Sequence, residues 1–182
     1  ARILPRDNIL VQFENQRFKE DLVAWVDPGL FEIFSFEFIQ GNDKTSLQPP
    51  GTAVLTEATA RKYFGNENAM GKIFNVDSEY DYTVVGVIKD IPQNSYFTLD
   101  LCLTLAYGNK MFGEDLMDSW GWLNFLIYFE MQDQFSKPEL ETKVSDLINA
   151  HNRPKDPSIQ YTVQNIKDIH LYSSHFLGDI QP

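Results

Sequence analysis

The segment Thr56–Val76, TEATARKYFGNENAMGKIFNV, holds the arrangement nearest to a nucleotide site: two glycines and the pair Gly71-Lys72. A phosphate-binding loop needs G-x-x-x-x-G-K-[ST] after a strand and ahead of a helix, so that loop and helix N–H groups meet the phosphates. Here Gly65 and Gly71 enclose five residues, Ile73 stands where the Mg²⁺-binding hydroxyl belongs, and the order is helix, loop, strand. Thr56 suits an N-cap, Ala60 and Phe64 share a helical face, and Gly65 suits the C-terminal stop. The segment reads as scaffold.

Other chemistry-bearing residues lead to the same place. Asp77, Glu79 and Asp81 imitate the start of a calcium loop, but its sixth and twelfth positions, which need Gly and an acid, hold Tyr82 and Ile88. His170 and His175 in HLYSSH lack a third ligand at zinc spacing. No serine sits in a G-x-S-x-G elbow, and Cys102 has no neighbour that would lower its pKa. The aromatic segments Phe31–Phe38 and Trp120–Phe129 read as core, with a ligand groove as the alternative. The expectation is therefore no catalytic, cofactor-binding or metal-ligating residue, no cofactor, and no enzyme.

The elements that would carry these residues follow from pattern. Ile9, Val11 and Phe13 alternate on one strand face, and FKEDLVAWV (18–26) reads as a second strand. Asp27-Pro28 opens a short helix to about Phe34. A brief strand in SFEFIQGND and one in QPPGTAVL lead to the Thr56–Phe64 helix. KIFNV and YTVVGVIKDI form a hairpin about the turn Asp77–Asp81, with Gly86 marking a close approach or bulge. Leu99, Leu101, Leu103 and Leu105 alternate as a half-buried strand, which puts Cys102 on its more polar face. Residues 107–119 read as irregular, and GWLNFLIYFEM reads as a further strand. Ser136-Lys137-Pro138-Glu139 is a capping box for a helix with the stripe Leu140, Val144, Leu147 and Ile148. IQYTVQNIKDIHLY closes with a strand. Strands unevenly interleaved with few helices mean an α+β fold.

Composition sets outer bounds. The 182 residues are 43% hydrophobic and 14% aromatic, enough for a real core. A formal charge of −11 argues against nucleic acid and against anionic lipid headgroups. One cysteine permits no internal disulfide. The longest charge-free run, the twelve residues Thr45–Thr56, falls short of the roughly 20 apolar residues that span a bilayer. A start at Ala1 rather than Met leads us to expect an excised fragment or a processed form, with flanking sequence on the longer chain.

The blocks DPGLFEIFSFEFIQGN, AVLTEATARKYFGNENAMGKIF, YTVVGVIKDIPQNSYF and IKDIHLYSS occur in this order along nearly the whole chain. Together they resemble the extracytoplasmic domain of MacB-like and FtsX-like ABC transporter permeases, most of all the type abundant in Bacteroidetes. The resemblance implies two lobes. A porter-like α+β lobe would be built from 1–27 and 121–182, and a sabre-like lobe inserted over 28–120, with boundaries near Pro28 and Trp120. Since a strand pattern begins close to Ala1, the resemblance leads us to expect the family's first porter helix to be truncated or absent from this segment. The resemblance further implies a periplasmic domain anchored to the inner membrane by transmembrane helices outside this segment. The implied partners are a cytoplasmic ABC ATPase subunit, a membrane-fusion protein, an outer-membrane channel and a second permease copy. The implied role is mechanical coupling of ATP hydrolysis to periplasmic export. The alternative is an FtsX-like sensor that activates a partner such as a cell-wall hydrolase.

Overall fold

The structure, a computed structural model, describes residues 1–42, 46–92, 94–95, 98–113, 119–120, 124–131, 136–151 and 161–169. The chain divides into two compact units, Ala1–Glu130 and Met131–Pro182.

The first unit is built on one mixed sheet. In chain order its strands are β1 (Arg2–Arg6), β2 (Ile9–Phe13), β3 (Gln16–Glu20), β4 (Val23–Val26), β5 (Phe38–Gln40), β6 (Thr52–Thr56), β7 (Ile73–Val76), β8 (Tyr80–Ile88), β9 (Leu101–Thr104) and β10 (Leu126–Ile127). Their order in space is β10-β1-β4-β9-β6-β8-β7-β2-β3, with β5 also on β8. The pairs β4–β9 and β6–β8 are parallel and the others antiparallel.

The expected second strand over 18–26 is two strands. Arg6 pairs with Val23 and Ile9 with Glu20, so β1–β4 and β2–β3 are consecutive halves of one hairpin. The hairpin breaks at Asp7-Asn8 and Asp21-Leu22. Asn8 there takes φ 61°, a conformation Asn tolerates better than most residues, and its N–H donates to the Asp21 carboxylate at 3.0 Å. Leu22 instead offers its carbonyl to the Asp100 and Leu101 N–H groups. Because the two halves lie toward opposite ends of the strand order, the sheet curls round and this bent hairpin joins its ends.

Alternation along the central strands sends side chains into two cores. One holds Leu4, Val23, Trp25, Ala53, Leu55, Leu101 and Leu103 with Phe74, Tyr82 and helix residues Ala60, Tyr63 and Phe64. The other holds Ile3, Ala24, Val26, Val54 and Cys102 with Leu30, Phe31 and Leu47. Cys102 is thus 1% exposed, and the expectation of a polar face for it fails. The physical reason is position: β9 lies between β4 and β6 with both faces covered, so its Thr104 is buried as well. Strands from both expected segments, 1–27 and 28–120, lie in this one sheet.

The helices are short. α1 spans Leu30–Ile33, α2 Glu57–Phe64 and α3 Gly108–Phe112, the last preceded by a 3₁₀ turn at Leu105–Tyr107 in the stretch expected to be irregular. Of the strand expected over 121–131, only Leu126–Ile127 forms a ladder among the described residues, as the edge strand beside β1.

In the second unit, α4 spans Lys137–His151. The Glu139 carboxylate accepts the Ser136 N–H at 2.9 Å and the Ser136 hydroxyl at 2.7 Å, which is the backward-reaching half of a capping box. Of the stripe, Leu140, Val144 and Ile148 are half-buried and Leu147 is exposed. The described part of the expected last strand, 161–169, makes no ladder. It is held to α4 by Thr162 and Val163, which donate to Glu141, and ends in a 3₁₀ turn at Ile166–Asp168.

Candidate functional site

The Thr56–Lys72 segment is built as its sequence suggests. Thr56 Oγ1 accepts the Thr59 N–H at 3.3 Å, Asp90 accepts the Ala58 N–H at 2.8 Å, and Gly65 ends α2 at φ 63°. The loop beyond is committed to the fold. Gly71 N–H donates to the Val84 carbonyl, Val84 N–H to the Lys72 carbonyl, and Lys72 N–H to the Ala69 carbonyl. The Lys72 ammonium pairs with Glu67, holding its carboxyl below the usual range, and lies over the rings of Phe13 and Phe64. Lysine and loop amides serve as a tie between α2 and β8. A shallow open groove of about 240 Å³ runs beside the tie, with Ile39, Ala60, Ala69 and Val87 among its lining and Glu57 and Arg61 paired on its rim.

The acidic turn is structural too. Asp77 and Ser78 both take positive φ, as tight hairpin turns require. Asp77 accepts the Leu10 N–H at 3.1 Å, and Asp81 accepts the Asn75 side-chain amide at 2.8 Å. Among the described residues no three His, Cys, Asp or Glu groups are placed to hold a metal. Asn75 Oδ1 is buried without a partner in the wall of a second groove, about 380 Å³, lined also by Gln12, Glu14 and Ile73. His170 and His175 lie outside the described residues. Burial pushes the Cys102 thiol up to about 12, so it stays protonated and inert.

The aromatic segments split. Phe31 packs edge-on to Phe36 and Phe38 at 5.4 and 5.1 Å, inside the second core. Trp120, Ile127 and Phe129 are instead 41, 65 and 45% exposed, near the β10 edge in the case of the latter two.

Pattern alone misses one charged cluster. Glu20, on β3, is buried and accepts two hydrogen bonds from the Lys62 ammonium on α2, at 2.7 and 2.9 Å. Burial foremost, then the Glu20 carboxylate close to it, raises the pKa of the buried Tyr63 hydroxyl. Burial, followed by Glu20 and Asp90, also raises Asp100. No local signal marks a pairing of residues 42 apart. A second buried link, Trp25 Nε1–H to Tyr82 Oη at 2.8 Å, joins β4 to β8.

A curled, mixed sheet with two cores, shallow grooves and its cationic loop tied into the fold defines an α+β scaffold domain. The chain belongs to the MacB-like periplasmic core domain family, whose profile matches residues 1–147. Solved structures agree on the fold. A domain of a putative permease from Porphyromonas gingivalis superposes with TM-score 0.67 at 20% identity, covering 83% of this chain and 63% of that one. The periplasmic region of MacB from Actinobacillus actinomycetemcomitans gives 0.55 at 17%, covering 82% and 66%. The extracellular domain of the noncanonic ABC-type transporter YknZ from Gram-positive bacteria gives 0.54 at 15%, covering 82% and 74%. The chain thus spans slightly under two thirds of the first two. No curated protein sequence matches it.

Proposed function

We propose that this chain is the extracytoplasmic domain of an ABC transporter permease, and that it couples cytoplasmic ATP hydrolysis to work in the periplasm by moving as a body. The observation that carries the reading is the family match over residues 1–147. Its companion is a sheet whose strands are continuously hydrogen-bonded from β10 to β3, a stiff object that can transmit displacement. No residue need act on a substrate covalently, and the domain is not an enzyme in this reading. No helix among the described residues is long and apolar enough to cross a membrane, so the anchoring helices would come from other parts of the protein. Partners would be the ATPase subunit and a second permease copy, with a membrane-fusion protein and an outer-membrane channel in an exporter.

The test replaces this domain by a short flexible linker in the full-length permease, reconstituted with its ATPase. Basal ATP turnover should persist, while the variant should fail to complement a deletion strain. Full complementation by the linker variant would overturn the reading. A sensor role is the second reading, favoured by the exposed Ile127 and Phe129, which suit contact with a protein partner. In that case Ile127→Ser/Phe129→Ser should abolish capture of a cell-wall hydrolase or its adaptor while export-linked phenotypes stay intact.

A further inference from the structure

Leu47 is wholly buried in the second core, yet its φ of 62° lies in the left-handed region, where a Cβ crowds the backbone. Strain of this kind persists only where surrounding contacts impose it. The segment carrying it, Ser46–Gly51, belongs to neither flanking strand, since β5 ends at Gln40 and β6 begins at Thr52. Side-chain hydroxyls hold it. Thr104 Oγ1 donates to the Leu47 carbonyl at 2.8 Å, Thr52 Oγ1 donates to the Pro49 carbonyl at 2.7 Å, and the Ser46 hydroxyl donates to the Asn42 carbonyl. Pro49 and Pro50 fix their own φ and lend stiffness.

The downstream end is pinned. Gly51 takes φ 69°, its carbonyl accepts the Thr83 N–H at 2.8 Å, and a Cβ there would stand 2.5 Å from Tyr107 Oη. At the other end the Thr104 hydroxyl, from β9, reaches the Leu47 carbonyl. Thr104 and Cys102, two apart on β9, project from the same face, and Cys102 shares its core with Leu47.

We propose that Ser46–Gly51 is a latched strap. Leu47 is its strained plug, the Thr104 hydroxyl is its latch and Gly51 is its pivot. Release opens the apolar face that carries Cys102 while the ladders β4–β9 and β6–β9, which do not include the strap, stay intact. The strain at Leu47 is relieved in the open state, which lowers the cost of opening relative to unfolding the sheet.

Cys102 is the only cysteine of the chain, so its modification by a neutral aromatic disulfide reports this face alone. Labelling of the 182-residue chain is followed at constant pH across sub-denaturing urea. Opening of the strap predicts labelling faster than the global unfolding equilibrium permits, with a urea dependence well below that of unfolding. Thr104→Val keeps the side chain's shape and removes the latch, along with the longer 3.3 Å bond that its oxygen accepts from the Ala106 N–H; it should label at least about fivefold faster, the ratio that one lost hydrogen bond of ordinary strength gives. Thr56→Ala, which weakens the α2 cap on a different element, is the control and should leave sub-denaturing labelling unchanged. Labelling that follows global unfolding with its full urea dependence overturns the strap. So does a Thr104→Val rate equal to that of the parent, or a Thr56→Ala rate equal to that of Thr104→Val. Should Thr104→Val unfold, the urea dependence of the parent alone decides.

Discussion

Glu20 keeps a carboxylate in a buried place where the Lys62 ammonium meets both its oxygens. Its side chain is 9% exposed, whereas that of Lys62 is 46% exposed. Replacing Lys62 by Met keeps an unbranched apolar stem and removes the ammonium, which also lies over the Phe18 ring, leaving a buried carboxylate without that donor. Breaking a fully buried pair is strongly destabilising; water can reach this one from the Lys62 side, so the loss should be about 1–2 kcal/mol. Chemical denaturation of Lys62→Met at pH 7 checks this, and an unchanged midpoint would show the pair to be an ornament of the surface. Asp100 gives a prediction of opposite sign. Burial, with Glu20 and Asp90 adding to it, raises its pKa in the folded state, so ionisation is less favourable there than in the unfolded chain. The penalty is absent below the ordinary carboxylate pKa near 4 and complete once pH has risen through the raised folded value. Asp100→Asn should therefore raise Tm at pH 7 by about 1–3 °C, and the gain should vanish near pH 3. A gain that is equal at both pH values would assign the effect to something other than charge.

Elements were legible where the determining chemistry is local. Thr56 and Gly65 bracket α2 because a hydroxyl and a missing Cβ act within one turn, and the β7–β8 hairpin follows from its turn residues. The division of 18–26 was not legible, because it depends on Leu22 meeting Asp100 and Leu101, far away in sequence. Nor was the burial of Cys102, since an alternating pattern cannot report a strand covered on both faces. The latch at Thr104 is hidden for the same reason. Gly86 stands between these cases: its sequence marked a close approach, and the partner needed the structure. A Cβ there would lie 2.9 Å from Phe38 Cε1 and 3.2 Å from Val54 Cγ2, close to the register shift between β6 and β8. Gly86→Ala should cost about 1–3 kcal/mol through overpacking. Pairing it with Phe38→Leu should recover part of that loss; a double variant no more stable than the sum of the two singles would mean that the Val54 side chain, and not the Phe38 ring, sets the limit.

At the scale of the molecule, the two cores decide what can fold alone. Among the described residues, the buried members of both clusters fall between Ile3 and Leu105, and the partly buried residues packed against them between Ala1 and Tyr128. The sheet closes its order at β10, Leu126–Ile127, so Ala1–Glu130 retains each ladder described here. Arg2 adds a clasp at the rim: its backbone N–H and guanidinium donate to Asp27 at 2.9–3.1 Å, and Asp27 N–H returns a bond to the Arg2 carbonyl. By contrast no residue of α4 is fully buried, and a helix of this length with only a half-buried stripe draws less from packing. A chain cut after Glu130 should accordingly unfold in one cooperative transition, with Tm within about 5 °C of the 182-residue chain and with near-UV CD from Trp25, Tyr82 and their aromatic neighbours preserved. The residues 131–182 made separately should show no cooperative transition. A 1–130 chain that is molten, with far-UV signal but no near-UV signal, would show that the second unit contributes to the packing of the first.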